Sequence, residues 1–246
     1  MRRYRLTVEY DGTPFVGWQK QSNGMSVQES IERAIFQFCG EVTNVFSAGR
    51  TDAGVHARQM TAHFDIEKDT TADVVRDALN HYLRPKPVAV LSAQQVTNDF
   101  HARFSAKARH YEYLYCDRRA PLALDAGRAW RISGALDHVA MHEAAQALIG
   151  QHDFTTFRAA GCQAKSPIKT LDRIAVRRVD DTLISLNVSA TSFLHHQVRS
   201  IAGSLFAVGI GKWHKNKIAD ILAHKDRSAC GQVAPPYGLY FLYADY

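Results

Sequence analysis

The sequence predicts an α+β fold built from two ferredoxin-like halves of the βαββαβ type. Segments in which apolar and polar residues alternate, typical of half-buried strands, occur in both halves of the chain. In the first half, the predicted strands and helices follow the order strand, helix, strand, strand, helix, strand. The chain has 246 residues, 46% of them hydrophobic, which is enough to bury a core in one large domain or two ordinary ones.

The first half begins with a strand over residues 4–10, where every second residue is apolar or aromatic. A helix follows, because Ser26 and Glu29 form a capping box and Gly40 provides a stop. The other elements predicted here are strands at 42–48, 60–66 and 88–96 and a helix at 73–83. Residues 49–57 therefore form a loop between two strands, where side chains are open to substrate.

The second half repeats the same kinds of element. We predict strands at 110–116, 171–179, 183–188 and 239–246, and helices at 137–149, 194–208 and 218–223. We place the boundary between the two halves after residue 105, so that they comprise residues 1–105 and 106–246. No Pro-rich or Gly-rich linker marks this boundary, which favours two tightly packed halves.

Composition narrows the class of protein. Lys and Arg number 30 against 24 Asp and Glu, and the net charge of +6 favours a polyanionic partner such as nucleic acid. The four scattered cysteines have no metal-binding spacing and fit free thiols in the cytoplasm. No apolar run reaches the roughly 18 residues of a membrane span.

The loop at 49–57 contains the strongest candidate for chemistry. Gly49 and Gly54 bracket Asp52, and an ion pair with a nearby arginine would keep this carboxylate ionised, as a nucleophile requires. Basic residues that could contact phosphates nearby are Arg50, His56 and Arg58. Spacing alone leaves open an ordinary Asp-containing turn with surface charges.

Residues 99–111 interleave cationic and aromatic side chains, as a surface that pairs phosphates and stacks bases would. Arg103 and Arg109 are the candidate RNA contacts in this segment. Tyr111, Tyr113 and Tyr115 follow on one strand face. A tyrosine can stack on a base or exchange a proton, but aromatic strand residues also commonly belong to the core.

His195, His196 and Arg199 lie at the predicted start of the long helix. Adjacent histidines on a helix point in different directions, and no cysteine spacing accompanies them, so we predict no metal site and expect caps or RNA contacts. Arg199 is interpreted either as a solvated helix charge or as the buried partner of a carboxylate.

The segment Ala48–Ala57 resembles the signature of the tRNA pseudouridine synthase A family. The resemblance extends in order along the chain to Glu9–Gly12, Gly17–Gln19, Ser26–Gln28, Phe100–Ala106 and Phe193–Arg199. It implies that Asp52 is the nucleophile, Tyr111 the active-site tyrosine and Arg199 the basic partner of the aspartate. It also implies that Arg50 helps to draw the target nucleotide out of the RNA stack, a step that base-modifying enzymes generally need.

The resemblance further implies that the two halves share a continuous mixed, mainly antiparallel sheet, with helices on one side and a basic RNA-binding cleft. Members of this family act on tRNA as homodimers without a cofactor, in the anticodon stem-loop at nucleotides 38 to 40. Two rival functions remain open. One is a non-catalytic RNA-binding module, and the other is a nucleoside or glycoside hydrolase that uses Asp52 with a second carboxylate.

Overall fold

A computed structural model describes all 246 residues, and the α+β fold class is confirmed. The chain forms two compact units. Unit 1 contains Met1–Arg109 together with Tyr240–Tyr246, and unit 2 contains His110–Leu239. The first unit thus extends four residues past the predicted boundary at residue 105. The C-terminal strand, which we assigned to the second half, groups with unit 1.

The chain forms ten strands and five α-helices. Up to residue 96 they are β1 (Arg2–Tyr10), α1 (Val27–Cys39), β2 (Phe46–Ser47), β3 (His56–Ile66), α2 (Ala72–Leu83) and β4 (Val88–Val96). They continue with β5 (Ala108–Cys116), β6 (Trp130–Arg131), α3 (His138–Ala145), β7 (Gly150–Asp153), β8 (Ile168–Arg178), β9 (Leu183–Ala190), α4 (Gln197–Gly209), α5 (Lys217–His224) and β10 (Leu239–Asp245). None of the five helices combines the length and apolar character needed to cross a bilayer.

Unit 1 has the strand order β4-β1-β3-β10, with β2 also paired to β3. The strands β1 to β4 and the two helices therefore form the predicted βαββαβ arrangement. β1 runs antiparallel to both β3 and β4. β10 runs parallel to β3, and its register places Tyr240 opposite His56 and Phe241 opposite Ala57. This register brings the end of the chain beside the start of β3.

Local sequence signals explain the first elements of unit 1. The apolar face of β1 is buried as predicted, and the Ser26 hydroxyl accepts the Glu29 N–H at 3.1 Å at the start of α1. Gly40 ends this helix with a left-handed φ of 75°. β2, in contrast, is much shorter than the predicted 42–48, because only Phe46 and Ser47 pair with β3.

Unit 2 has the strand order β5-β9-β8-β7, and the short β6 runs parallel to β5. The strands β8 and β9 and the helix α5 confirm the predicted elements. The prediction missed β7, whose four residues Gly150–Asp153 are too few to show an alternating pattern. The long helix begins at Gln197 and not at residue 194, because His196 adopts a left-handed φ of 62°.

Candidate functional site

Asp52 lies in unit 1 on the loop that joins β2 to β3, here called the aspartate loop (residues 49–55). The backbone of this loop is fixed from one side. The Trp18 N–H donates to the Thr51 carbonyl at 3.0 Å, and Gly17 forms an isolated antiparallel bridge with Asp52. The hydroxyls of Tyr10 and Thr51 share a buried 2.8 Å hydrogen bond. Asp52 itself is half-buried. The contacts from Trp18 and Gly17 therefore fix the backbone that carries its carboxylate.

Gly12 and Gly17 allow the segment between β1 and α1 to pack closely against the backbone of the aspartate loop. A Cβ at Gly12 would lie 2.0 Å from the Val55 carbonyl oxygen, nearer than any van der Waals contact permits. Gly17 has a φ of +114°, and a Cβ there would lie 2.7 Å from the Thr51 carbonyl oxygen. Both positions therefore require glycine, and the sequence reasoning gave neither residue a role in supporting the aspartate loop.

His56 supports the aspartate loop from its C-terminal end. Its Nδ1 accepts the Gly12 N–H at 3.0 Å and lies 3.2 Å from an Asp11 carboxylate oxygen. Since the Gly12 bond needs the lone pair of Nδ1, this nitrogen has no proton to donate to Asp11. The ring is 3% exposed and stacks on Tyr240 at 4.8 Å. This burial favours a supporting role over the phosphate contact that we predicted.

Arg58 is exposed and lies two residues after His56 in β3, on the same face of the strand. Its guanidinium is 4.9 Å from the centre of the Tyr240 ring, which also stacks on His56. Tyr240 thus joins two of the predicted RNA-contact residues. No sequence motif indicated this, because Tyr240 reaches β3 only through the pairing of β10.

Arg109 is a buried clamp inside unit 1. Its Nε donates to the Ala48 carbonyl at 3.1 Å, and its two terminal nitrogens donate to the carbonyls of Ala106 and Arg103. The residue is 9% exposed. Its guanidinium therefore ties the start of the aspartate loop to the segment around Arg103, which favours a positioning role for Arg109 over direct RNA contact.

Replacing Arg109 with alanine is expected to lower the free energy of unfolding by about 3 kcal/mol, because three charge-assisted hydrogen bonds to backbone carbonyls are lost. Urea denaturation measures this change. Arg50→Ala, an exposed arginine in the aspartate loop, is the matched control and should stay within about 0.5 kcal/mol of the wild type. If Arg109→Ala lowers the free energy of unfolding by less than about 1 kcal/mol, the stabilising role of its three hydrogen bonds is contradicted.

Tyr111 lies in unit 2 on β5. The residue is 9% exposed, and its ring meets the Phe193 ring edge-on at 5.1 Å. The hydroxyls of Tyr113 and Tyr115, in contrast, donate to the carbonyls of Pro235 and Ala202, each at 2.9 Å. Burial raises the pKa of both of these phenols, so they stay protonated. The core interpretation is therefore confirmed for Tyr113 and Tyr115.

Arg199 lies in the first turn of α4 in unit 2 and is half-buried. Its Nε donates to the Ala234 carbonyl at 2.8 Å, and the Ala234 N–H donates to the Arg199 carbonyl at 3.1 Å. Gly203, one turn further on, lets the chain pack closely, since a Cβ there would meet the Gln232 carbonyl oxygen at 1.7 Å. The segment 232–234 thus fixes the direction of the Arg199 side chain.

His195 and His196 do not lie on the helix, which corrects our prediction. They precede α4, and their ring centres are 4.1 Å apart. Our argument that helical geometry separates these two rings was therefore wrong. Gln197 shapes this turn, because its buried side-chain oxygen accepts the Leu194 N–H at 2.8 Å.

The predicted site residues divide between the two units. Unit 1 carries Arg50, Asp52, His56, Arg58, Arg103 and Arg109, and unit 2 carries Tyr111 and Arg199. The sequence reasoning missed the supporting residues Gly12, Gly17, Tyr240 and Phe193. The two glycines and Phe193 fall in segments that carried the family resemblance, so that resemblance was the available signal for them.

Comparison with known proteins gives consistent matches. Residues 6–105 and 144–246 match a family model described as tRNA pseudouridine synthase. The chain is 56% identical over 246 residues to tRNA pseudouridine synthase A of Parvibaculum lavamentivorans, covering 100% of both. It is 57% identical over 248 residues to the Brucella ovis protein of the same name, covering 100% of this chain and 98% of that protein.

A solved structure of a Cbf5-Nop10-Gar1 complex is also similar. The match covers 97% of this chain and 48% of that chain, with 12% identity and a TM-score of 0.37. A likeness this distant supports no further argument.

Proposed function

The chain belongs to the tRNA pseudouridine synthase family, and we propose that it modifies the anticodon stem-loop of tRNA with Asp52 as its nucleophile. The family and its relatives make it an enzyme that isomerises uridine to pseudouridine. The observation that supports the finer proposal is the construction of the aspartate loop. Backbone contacts from Trp18 and Gly17 and the close approach of Gly12 fix the backbone that carries the half-buried Asp52.

The reaction breaks the N-glycosidic bond of uridine, turns the uracil and joins its C5 to the same sugar carbon. The C5 proton leaves and the ring nitrogen regains a proton, so no redox change or energy input is needed. An enzyme for this reaction needs a nucleophile to stabilise the intermediate and a base to remove the C5 proton. Asp52 suits the first task, whether it adds to the sugar or the ring or assists elimination.

Tyr111 and Arg199 complete the proposed machinery. Tyr111 is the proposed base for the C5 proton, and its ring is oriented by packing against Phe193. Arg199 is the proposed counter-charge for the Asp52 carboxylate, and its side chain is oriented by the Ala234 carbonyl. These fixed orientations support the assignments, since catalytic groups work only when they are pre-positioned.

The basic residues of unit 1 are the proposed RNA contacts. Arg50, Arg58 and Arg103 are exposed, whereas Arg109 and His56 are buried and support the loop. Arg50, two residues before Asp52, is the proposed residue that helps the target nucleotide leave the stack. The net charge of +6 adds a general attraction to the phosphate backbone.

We also propose that the enzyme acts in the cytoplasm as a homodimer, as the resemblance implies. Cysteines Cys39, Cys116, Cys162 and Cys230 are all free thiols, which agrees with a reducing compartment. Sedimentation of the pure protein measures the oligomeric state. A mass of twice 27.5 kDa is expected.

Nucleotide-resolution mapping tests the proposed function. The purified chain is incubated with unmodified tRNA transcripts, and pseudouridine is mapped along the RNA. We expect pseudouridine at positions 38 to 40 of intact tRNA. Pseudouridine confined to another region would contradict the anticodon assignment, and release of free uracil would favour the nucleoside hydrolase.

A further inference from the structure

Three aromatic side chains gather on the surface of unit 1, and we call them the aromatic platform (Phe46, His101 and Phe104). The His101 ring centre lies 5.4 Å from Phe46 and 4.4 Å from Phe104. His63, 1% exposed, supports the platform from beneath through a stacked contact with Phe46 at 5.1 Å. The three rings therefore form one continuous surface that rests on the buried ring of His63.

The platform presents large apolar groups to solvent. Phe104 is 78% exposed and Phe46 is 47% exposed. Exposure of a single apolar residue is ordinary, but adjacent exposed aromatic rings are typical of a binding surface. The guanidinium of Arg103 lies 5.7 Å from the centre of the Phe104 ring and adds a cation at the edge.

The turn that carries Phe104 is rigid. The Ser105 hydroxyl accepts the His101 N–H and the Ser105 N–H donates to the His101 carbonyl, both at 2.9 Å. The His101 Nδ1 accepts the N–H groups of Arg103 and Phe104 at 3.1 and 3.3 Å. The backbone that carries the exposed ring is therefore ordered before any ligand arrives, which lowers the entropic cost of binding.

Charge at the platform favours an anionic partner with an aromatic face. Burial and the neighbouring Arg3 lower the pKa of His101, so its ring is neutral at pH 7 and can stack. Arg103 supplies the positive charge beside it. A nucleobase with its phosphate offers the complementary pair of features, since every base has a π face and every nucleotide an anionic group.

The platform is connected to the aspartate loop. Phe46 in β2 comes six residues before Asp52, a path of at most about 20 Å. Arg109 also joins the two, because it donates to the carbonyls of both Ala48 and Arg103. A nucleotide on the platform is therefore within a few nucleotides of a target held at Asp52.

We propose that the aromatic platform stacks an unpaired base of the tRNA substrate, while Arg103 pairs with an adjacent phosphate. This inference rests on the proposed function for the identity of the RNA. The platform holds a second nucleotide of the same tRNA, apart from the uridine that reacts.

Variants of Phe104 test the stacking. Phe104→Ala is expected to weaken binding of unmodified tRNA by about tenfold to a hundredfold, the loss of one stacked base. Phe104→Trp should keep or improve the affinity, and Phe104→Leu should fall between alanine and the wild type. Phe36→Ala, an exposed phenylalanine on α1, is the matched control and should bind normally. Equal affinity for the wild type and Phe104→Ala overturns the proposal.

The salt dependence of tRNA affinity distinguishes the phosphate contact of Arg103 from the stacking on Phe104. Arg103→Ala should reduce the slope of log affinity against log salt by about 0.7 to 0.9, the share of one phosphate contact. Phe104→Ala should lower the affinity and leave this slope unchanged. An unchanged slope for Arg103→Ala overturns the phosphate contact.

A second copy of this chain is the competing occupant of the platform. Sedimentation of Phe104→Ala without RNA decides between the two, and a mass below that of the wild type overturns the proposal. Pseudouridine formation by the wild type is assayed in parallel. If tRNA binding depends on Phe104 but no pseudouridine forms, only the proposed function is contradicted. If pseudouridine forms but tRNA binding does not depend on Phe104, only the stacking on the platform is contradicted.

Discussion

Asp52→Asn is expected to lower kcat for pseudouridine formation by about a thousandfold or more, as loss of a nucleophile does in other enzymes. The amide has nearly the shape of the carboxylate but carries no negative charge, so it can neither attack nor stabilise a developing cation. Affinity for tRNA should change by less than about threefold, because the backbone of the aspartate loop is fixed by Trp18 and Gly17 and not by the Asp52 side chain.

Asp69→Asn is the matched control for this variant. Asp69 also lies in unit 1, its side chain is 88% exposed, and it pairs with Arg2. Its replacement should leave both kcat and tRNA affinity near the wild-type values. Pseudouridine content after digestion of the tRNA gives kcat, and filter binding gives affinity. Wild-type turnover by Asp52→Asn would show that Asp52 only shapes a turn.

Gly12→Ala is expected to have the second large effect. The new Cβ would lie 2.0 Å from the Val55 carbonyl oxygen, so the backbone of the aspartate loop must move. Such a collision costs about 1 to 3 kcal/mol of stability. A displacement of about 1 Å at the reacting groups lowers kcat by roughly a hundredfold.

Gly134→Ala is the control, because a Cβ there meets nothing within 4 Å. It should retain wild-type stability and turnover. Thermal unfolding and kcat are measured for both variants. A Gly12→Ala protein with normal kcat would show that close packing against Val55 does not position Asp52.

The elements that the sequence predicted best are those with local signals. α1 was predicted closely because its start and stop depend on Ser26, Glu29 and Gly40, all within or beside the helix. β2 was predicted too long, since an extended apolar segment says nothing about how many residues find a partner strand. The start of α4 was missed because the helix begins after His196, a non-glycine residue whose left-handed φ no local sequence signal indicates.

In the functional site too, features with local sequence signals could be predicted, and features that depend on distant residues could not. The position of Asp52 in a loop between two strands could be predicted, because glycines and flanking strands mark loops. The burial of Arg109 and His56 could not, since each depends on partners distant in sequence: Ala48 for Arg109, and Gly12 and Tyr240 for His56. Charge and spacing cannot distinguish an arginine that binds phosphate from one that holds backbone carbonyls.

The role of Asp52 is tested most directly by following the C5 hydrogen of uridine in a single turnover. tRNA labelled with tritium at C5 is mixed with excess enzyme, wild type or Asp52→Asn, at concentrations where both bind the RNA. We predict that the wild type releases tritium to water in step with pseudouridine, with no free uracil, and that Asp52→Asn releases it at least about a thousandfold more slowly. Tritium release by Asp52→Asn at the wild-type rate would contradict the account.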